Sequence, residues 1–509
     1  MAYLLGIDLG TSSVKAILID GEGHFKAKSF REYPLYQEKN GWAEQEPWDW
    51  WQASCAAISS LIHSAGIKPS AIKGVGISGQ MHGAVLLNGQ NQILRRAIIW
   101  CDQRSVKECT QITDLIGRER LLQLTANPAL TGFTASKVLW IKNNERAVFE
   151  KITKILLPKD YLRFKLTGEF ATDVSDASGM QFMDVPHRAW SEEIINKLGF
   201  AKEMFPRLYE SPEVTGKITA EASQLTGLVE GTPVVAGAGD QAAGAVGNGI
   251  VKEGLVSSTI GTSGVVFAHT DKLLIDPLGR VHSFCHAVPH KYHIMGVTQG
   301  AGLSLKWLRD SVFSDIQKEA ERLQLDAYDF LAAQAEGSSL GANGLIFLPY
   351  LMGERTPHAD PFARGVFLGL SPKHRRADII RAVMEGVVFS LKDCLGIIEE
   401  LKLPIKKVRA SGGGAKSSLW RKLQADIFAK EIWTVECGEG PALGAAILAG
   451  VGTGVYGSVE EGCKIVVKAH KTDEPDLSAH RAYQPYYELY RKLYPLLKDV
   501  FKELGGLHG

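Results

Sequence analysis

One pattern occurs twice in this sequence, and it constrains the fold more than any other feature. A short apolar segment, a Gly-Thr-Ser turn and a second apolar segment occupy residues 3–20, and the same order returns at 254–270. Gly261 follows Gly10 by 251 positions (261 − 10) in a chain of 509 residues. Each copy is typical of a β-hairpin, so the spacing predicts two halves of similar architecture. Gly-Thr-Ser turns are common, and the repeat alone leaves coincidence open.

The length and periodicity of the chain indicate the fold class. A chain of 509 residues is too long for one hydrophobic core. Strand-like runs alternate with segments of helical periodicity, such as 377–401 and 486–504. We therefore expect an α/β fold with one domain over residues 1–248 and a second over 249–509, with a ligand-binding cleft between them.

Charge and cysteine content argue against several functions. Lys and Arg number 57 against 56 Asp and Glu, so there is no overall basic field to attract nucleic acid or anionic lipid. The seven cysteines are scattered without a Cys-x-x-Cys pair, which favours reduced thiols. No signal-like or membrane-spanning apolar stretch is recognisable. We expect a cytoplasmic protein with no membrane or nucleic-acid partner.

The two hairpin turns are candidate phosphate-binding elements. Glycine and small hydroxyl residues leave backbone N–H groups and hydroxyls free to point at phosphate oxygens. Two such turns facing one cleft can hold a polyphosphate from both sides, whereas either copy alone can be an ordinary polar turn. The candidate residues are Thr11, Ser12 and Ser13 in the first turn, and Gly261, Thr262 and Ser263 in the second.

Two aspartates stand near strand ends, where carboxylates can reach a ligand. Asp8 precedes the first turn, where it can bind Mg²⁺ directly or through water. Asp240 follows the apolar run TPVVAGAG and precedes the helix-like QAAGAV, among residues too small to cover it. It suits a general base that accepts a proton from a substrate hydroxyl. The alternative is that Asp240 merely caps the following helix.

A polar and apolar cluster suggests a site for a sugar. The segment GISGQMHG at 76–83 supplies Gln80, Met81 and His82, and Asp102 follows the next strand. Sugar sites combine hydrogen-bonding side chains with apolar surface in this way. A single histidine beside a strand is more often structural, and that alternative stays open.

Three consecutive glycines, Gly412, Gly413 and Gly414, follow a predicted strand. They let the backbone approach a flat ligand such as adenine, and the small residues Ala442, Gly444 and Ala445 would leave room beside it. The alternative is a tight strand-to-helix turn with close helix packing.

Other nucleotide and metal motifs find little support. The segment 74–79 matches G-x-G-x-x-G but continues into another strand instead of a helix. Neither a Walker A sequence nor the protein-kinase motifs occur. His282, Cys285 and His286 have no fourth ligand at a recognisable spacing, which disfavours zinc.

Together, these residues resemble the FGGY family of carbohydrate kinases along essentially the whole chain. Two stretches are similar to the family signatures, GFTASKVLWIKNN at 132–144 and GVFLGLSPKHRRADIIRAVME at 365–385. Other segments are most similar to family members that phosphorylate D-xylulose. These are GQMHG at 79–83, WCDQR at 100–104, LLPKDYLRFKLTGE at 156–169, HSFCHAVP at 282–289 and FLPYLMGERTPH at 347–358.

The resemblance implies two ribonuclease-H-like domains of the actin type that flank a deep catalytic cleft. It also implies transfer of a phosphoryl group from ATP, with Mg²⁺, to D-xylulose, giving the 5-phosphate. By position, it assigns the catalytic base to Asp240, the metal to Asp8, the phosphates to Thr11–Ser13 and Gly261–Ser263, the nucleotide to Gly412–Gly414, and the sugar to Met81, His82, Gly83 and Asp102.

One departure and two rival functions accompany this resemblance. Gln241 stands where relatives often carry Asn, which puts the dimensions of the sugar pocket in question. The first rival is the same chemistry on another ketose or polyol, such as ribulose. The second is an actin- or Hsp70-like nucleotide switch, which would turn over ATP without sugar. A homodimer also remains open.

Overall fold

The protein contains two seven-stranded sheets, one in each half of the chain. The computed structural model describes residues 2–436 and 438–507, so Cys437, one of the seven cysteines, lies outside it. Within the described residues, no helix is both long and apolar enough to cross a bilayer.

The first half alternates strands and helices. Its strands are β1 (Tyr3–Leu9), β2 (Ser13–Asp20), β3 (Phe25–Glu32), β4 (Glu44–Gln45), β5 (Ile72–Gly79), β6 (Val85–Leu87), β7 (Ala97–Ile98), β8 (Lys154–Leu156), β9 (Ala171–Asp173), β10 (Met183–Asp184), β11 (Ala189–Trp190), β12 (Arg207–Tyr209), β13 (Val214–Lys217), β14 (Pro233–Val235) and β15 (Ala238–Gly239). Its helices are α1 (Pro47–Ala65), α2 (Val106–Ile116), α3 (Arg118–Thr125), α4 (Thr134–Asn144), α5 (Arg146–Phe149), α6 (Pro158–Thr167), α7 (Val174–Ala177), α8 (Glu192–Leu198), α9 (Ala220–Thr226) and α10 (Asp240–Gly247).

The second half follows the same alternation with longer helices. Its strands are β16 (Gly254–Ile260), β17 (Gly264–Thr270), β18 (His282–Cys285), β19 (Tyr292–Thr298), β20 (Ile346–Leu348), β21 (Val366–Leu368), β22 (Ile405–Ser411), β23 (Ile432–Val435) and β24 (Ala469–Asp473). Its helices are α11 (Gly302–Trp307), α12 (Ile316–Arg322), α13 (Ala327–Glu336), α14 (Arg376–Glu400), α15 (Ser418–Phe428), α16 (Gly440–Gly452), α17 (Val459–Val466) and α18 (Leu477–Leu507).

The two sheets share one topology around their central hairpins. The first sheet has the order β13-β14-β5-β1-β2-β3, with β15 also pairing with β5, and the second has the order β18-β19-β17-β16-β22-β23-β24. In each sheet the hairpin (β1–β2 or β16–β17) is antiparallel, and its first strand runs parallel to a later strand, β5 or β22. This is the ribonuclease-H-like arrangement, and the predicted α/β fold class is confirmed.

The sequence repeat corresponds to a repeat in the structure. Strand β16 begins and ends 251 positions after β1 (254 − 3 and 260 − 9), and β17 begins 251 positions after β2 (264 − 13). In both copies the parallel pairing shifts register directly after the first residue, Tyr3 or Gly254. The two predicted hairpins are therefore confirmed as equivalent elements.

One predicted hairpin is only partly formed. The Asn88-Gly89 pair between the apolar runs AVLL and IL predicts a two-stranded hairpin, but only β6 forms there, and it pairs with β8 instead. The Asn88 side chain accepts hydrogen bonds at 2.9 Å from the backbone N–H groups of Gln90 and Gln92, and a single bridge joins Leu87 to Ile93. The polar run after Asn88 thus forms a turn, because it offers no apolar alternation for a second strand.

The two halves meet where α10 packs against α16, at a contact that we call the glycine seam. A Cβ atom on Gly444 would lie 1.8 Å from the carbonyl oxygen of Ala243. Helix α16 also lies on the first sheet, where Cβ atoms on Gly6 and Gly76 would each lie 1.9 Å from a carbonyl oxygen of the helix. The small residues of α16, including Ala442, Gly444 and Ala445, serve this packing and leave no room there for a ligand.

The substitution Gly76→Ala should lower the free energy of unfolding by about 1–3 kcal/mol, because the new methyl group would overlap the Ala445 carbonyl and force the sheet and helix apart. Urea titration would measure the change. The matched control is Gly396→Ala in α14, where no atom lies within 4 Å of the added Cβ, and it should be neutral or stabilising. Equal effects of the two substitutions would contradict the glycine seam.

Candidate active site

Asp240 stands at the junction of the halves, as the first residue of α10. Gly239 occupies the N-cap position, and the Asp240 side chain makes no capping hydrogen bond, so the alternative of a simple helix cap is not what the structure shows. The side chain of Gln241 donates a hydrogen bond at 3.3 Å to the Asp240 carboxylate. Burial, and then the negative charge of Asp8, raise the pKa of Asp240 to about 7. This carboxylate is suited to accept a proton near neutral pH.

Asp8 lies near the end of β1 and acts on Asp240 through its charge. The β1–β5 register places Asp8 opposite Ser78, whose hydroxyl donates to the Asp8 carboxylate at 2.8 Å. Burial raises the pKa of Asp8, while Ser78 and Lys15 act to lower it. Lys15 itself forms a 2.6 Å ion pair with Glu439, just before α16. The two aspartates thus concentrate negative charge at one place, where a cation would be stabilised.

The predicted sugar residue Gln80 is linked to the first hairpin turn. Its side-chain amide donates to Gln45 at 2.7 Å, and Gln45 donates to the carbonyl oxygen of Thr11 at 2.7 Å. The Gln80 side-chain oxygen is buried and has no hydrogen-bond partner among the described residues. Gln80 therefore connects the two predicted subsites and retains one free acceptor.

Met81 and Gly83 are fixed by close packing. A Cβ atom on Gly239, directly before Asp240, would lie 2.9 Å from Cγ of Met81. A Cβ atom on Gly83 would lie 2.5 Å from the ring of Pro158 at the start of α6. Met81 thus lies beside the candidate base, and Gly83 allows the loop to sit on α6.

His82 is held as a neutral ring. Its backbone has φ of +69°, and Nδ1 lies 3.0 Å from the carbonyl oxygen of Gly179. Since a carbonyl only accepts, Nδ1 carries the proton and Nε2 is left as an acceptor. Burial, then the charges of Lys137 and Arg355, hold the pKa of His82 well below its usual range. The ring can therefore accept a hydrogen bond from a hydroxyl.

Asp102 is fully engaged by protein groups. Arg104 donates to both of its oxygens, at 2.9 Å from Nε and 2.7 Å from Nη2, and the Ala43 N–H donates at 2.6 Å. The structure therefore gives Asp102 a clear role in holding the local backbone. Its role in sugar binding stays a prediction.

The first hairpin turn presents its tip to solvent. Ser12 is exposed, while Thr11 and Ser13 are partly buried. The indole N–H of Trp100 donates to the Thr11 hydroxyl at 2.9 Å, and the Gly10 N–H donates to the carbonyl oxygen of Ser13 at 3.0 Å. These hydrogen bonds fix the backbone of the turn, while Ser12 at its tip remains exposed to solvent.

The second hairpin turn lies against the glycine-rich segment. Gly261 and Thr262 are exposed, and Ser263 is partly buried. A Cβ atom on Gly412, which has φ of +74°, would lie 2.6 Å from the carbonyl oxygen of Ile260, and one on Gly414 would lie 2.6 Å from the Ile260 side chain. The predicted phosphate turn and the predicted nucleotide turn are therefore neighbours, and Gly413 between them is exposed.

A buried charge cluster below Asp240 was missed at the level of sequence. Lys159 lies 2.6 Å from Asp160, 2.9 Å from Asp173 and 3.8 Å from Asp176, and all four side chains are buried. The Ser175 hydroxyl donates a hydrogen bond to the Asp173 carboxylate and accepts one from the backbone N–H of Gly239, the residue before Asp240. The local sequences PKDYL and TDVSD show the charged residues but give no signal that they are buried together.

The fold and the accessible carboxylate at the seam are typical of one class of protein, the two-domain kinases that phosphorylate small hydroxyl compounds. Two family models match, "FGGY family of carbohydrate kinases, N-terminal domain" at residues 3–247 and the corresponding C-terminal domain at 256–453. The chain belongs to this family and is a carbohydrate kinase.

Similar proteins of known name cover nearly the whole chain. Xylulose kinase of Bacillus subtilis (strain 168) is 39% identical over 98% of this chain and 98% of its own length. Xylulose kinase of Escherichia coli (strain K12) is 40% identical over 97% of this chain and 99% of its own. The crystal structure of ligand-bound xylulose kinase from Lactobacillus acidophilus has a TM-score of 0.91 at 29% identity, and covers 99% of this chain and 100% of its own.

Proposed function

We propose that this kinase transfers the γ-phosphoryl group of ATP to the C5 hydroxyl of D-xylulose, and that it is a cytoplasmic enzyme. The observation that carries the proposal is Asp240, an accessible carboxylate with a raised pKa beside the motif of Met81 and His82. The similarity to proteins named xylulose kinase supports the choice of sugar.

In this mechanism the sugar lies along Met81 and His82 with its C5 hydroxyl at Asp240. Asp240 accepts the hydroxyl proton as the oxygen attacks phosphorus. The neutral His82 ring accepts a hydrogen bond from a sugar hydroxyl through Nε2, and Gln80 offers its free oxygen in the same way. Asp102 acts through the backbone that it holds, or as a further sugar contact.

We further propose that the nucleotide binds between the two halves, which divide at 248/249. Backbone and hydroxyl donors of the two hairpin turns then bind the phosphates, and the exposed glycines let the adenosine portion approach closely. The assigned residues are Thr11, Ser12, Ser13, Gly261, Thr262, Ser263, Gly412, Gly413 and Gly414.

Asp8 fits a magnesium ion bound with the nucleotide. Mg²⁺ prefers one or two carboxylates together with water and phosphate oxygens. Within the described residues no group of three or more His, Cys, Asp or Glu side chains could hold a metal by itself, and the Asp8 carboxylate, whose charge acts on Asp240, suits that mode. When bound, the ion neutralises phosphate charge.

A panel of ketoses and polyols tests the function directly. With saturating ATP and Mg²⁺, D-xylulose should give the highest kcat/KM in an ADP-release assay, and NMR should place the product phosphate on C5. A kcat/KM tenfold higher for ribulose or another sugar would identify that sugar as the substrate instead of D-xylulose. ATP turnover that is unaffected by any sugar would favour a nucleotide switch.

Sedimentation of the same protein would test the homodimer, which stays a proposal.

A further inference from the structure

We propose that Arg355, from the second half of the chain, binds the C1 and C2 oxygens of the ketose across the gap between the halves. This inference rests on the proposed function and adds a substrate contact to that site. The ketone end of the sugar would thus be bound by a residue of the second half of the chain, whereas Asp240 belongs to the first half.

The loop that carries Arg355 is anchored by the residue before it. The buried Glu354 carboxylate accepts hydrogen bonds from the Thr298 hydroxyl at 2.6 Å, the Gln299 N–H at 3.0 Å and the Arg355 N–H at 2.7 Å. The Glu354 backbone also pairs with Asp360 in both directions, at 2.9 and 2.8 Å. Every polar group of Glu354 thus serves to fix the loop.

The residue after Arg355 anchors the loop in the same way. The Thr356 N–H donates to the carbonyl oxygen of Val297 at 2.9 Å, and its hydroxyl accepts from the Val297 N–H at 3.0 Å. Thr356 is fully buried. Arg355 is therefore held between two fixed neighbours, so the direction of its side chain is set by the scaffold.

The Arg355 side chain reaches the first half of the chain. A Cβ atom on Gly132 would lie 3.5 Å from Nη2 of Arg355 and 3.3 Å from the carbonyl oxygen of Trp100. Among the described residues, the guanidinium makes no hydrogen bond or ion pair, and the residue is only partly buried. A guanidinium has five N–H donors, so this one is open to a ligand.

The neighbours of Arg355 indicate what kind of ligand it takes. Its charge helps to lower the pKa of His82, of Lys137 and of His282, in each case after burial. Lys137 is occupied by carbonyl oxygens of the Gly132 region, and the buried Nε2 of His282 has no partner among the described residues. The one carboxylate that acts on Arg355 through its charge is Glu354, whose oxygens already accept hydrogen bonds from Thr298, Gln299 and the Arg355 backbone. A ligand of the guanidinium must therefore bring its own acceptor oxygens.

The path of the sugar brings two such oxygens to this place. In the proposed binding mode C5 lies at Asp240 and the sugar chain extends along Met81 to His82, on which Arg355 acts through its charge. The end of the sugar near Arg355 is then the hydroxymethyl ketone. A planar guanidinium can donate to two adjacent oxygens at once, here the C1 hydroxyl and the C2 carbonyl. A polyol or aldose also carries oxygens on C1 and C2 but has no carbonyl at C2, the stronger acceptor of the pair, so Arg355 would favour ketoses.

Kinetics of Arg355→Gln and Arg355→Lys provide the test. We expect KM for D-xylulose to rise by about 10–100-fold in Arg355→Gln, the loss associated with hydrogen bonds from a charged donor, with KM for ATP within about twofold of wild type. Arg355→Lys should raise KM for D-xylulose less than Arg355→Gln does, since lysine keeps the positive charge but not the two parallel N–H donors of the guanidinium. The control is Arg322→Gln, at the exposed end of α12, which should change neither KM.

An analogue and a binding measurement separate this inference from the proposed function. On 1-deoxy-D-xylulose, which lacks the C1 hydroxyl, the Arg355→Gln penalty should fall at least threefold below that on D-xylulose. Binding of D-xylulose without ATP, followed by calorimetry, should weaken in parallel. An equal penalty on both sugars, or a lower kcat with unchanged KM, would overturn the contact. Failure of the wild-type enzyme to bind or phosphorylate D-xylulose would instead overturn the proposed function and this contact with it.

Discussion

Replacement of Asp240 by Asn should lower kcat for sugar phosphorylation by about 10²–10⁴-fold, the usual contribution of a general base. The amide keeps the size of the side chain but cannot accept the hydroxyl proton. KM for ATP should change little, because the proposed phosphate contacts lie on the two hairpin turns. A coupled ADP assay under saturating sugar measures the effect. The control is Asp114→Asn, at an exposed position of α2, which should retain full activity.

The pH dependence of the wild-type enzyme provides a second test of Asp240 as the general base. Because burial and Asp8 raise the pKa of Asp240 to about 7, the carboxylate is protonated below that pH. The base is then lost, and kcat/KM for the ketose should fall about tenfold for each pH unit below the pKa. The residual activity of Asp240→Asn should lack this acidic limb. An unchanged limb, or more than about a tenth of wild-type turnover, would remove Asp240 from the role of base.

Lys159→Met should lower the free energy of unfolding by about 3–5 kcal/mol, the cost of leaving buried charges without a partner. Burial acts to lower the pKa of Lys159, but Asp160, Asp173 and Asp176 outweigh it and raise that pKa, so the lysine is charged in the folded protein. Removal of its charge takes away the ammonium group that lies 2.6–3.8 Å from these three buried carboxyl groups, and no other ion-pair partner lies within 4 Å of them among the described residues. Urea unfolding at pH 7 measures the loss.

A surface lysine supplies the matched control for this prediction. Lys197 pairs with Glu193 at 3.1 Å on an exposed face of α8, and Lys197→Met should cost only about 0–1 kcal/mol. The positive charge of Lys159 acts to lower the pKa of Asp176. Its removal should raise that pKa further, so Asp176 binds a proton more readily in the folded variant and the deficit of Lys159→Met should shrink as the pH falls. A deficit equal to that of Lys197→Met, or independent of pH, would contradict the role of the cluster.

The sequence was most informative where local pattern determines local structure. The two hairpins could be placed because apolar runs and a Gly-Thr-Ser turn lie within about twenty residues of each other. Helix α14 spans Arg376–Glu400, within one residue at each end of the predicted segment 377–401, because its apolar side chains recur at helical spacing. Asp240 could be picked out because the small residues on both sides of it leave a partly buried carboxylate accessible at the start of a helix.

The sequence was least informative where the partner of a side chain is distant or unexpected. The tautomer of His82 depends on Gly179, which lies 97 positions away. Lys159 is charged because of aspartates on β9 and α7, which no periodicity connects to it. Asp102 shows that even a near partner can go unrecognised, since the Arg104 guanidinium that donates to it lies only two residues along the chain. Partners of this kind are identified by coordinates and not by motif.

The glycine seam limits how the enzyme can open. Main-chain atoms of α10 and α16 touch there without flexible side chains between them, so any sliding of one half past the other would produce van der Waals overlap. We expect a rotation about the seam to keep these contacts. Such a rotation would change the distance between Gly132 and Arg355, which lie in different halves of the chain, and with it the width of the gap in which the sugar site is proposed.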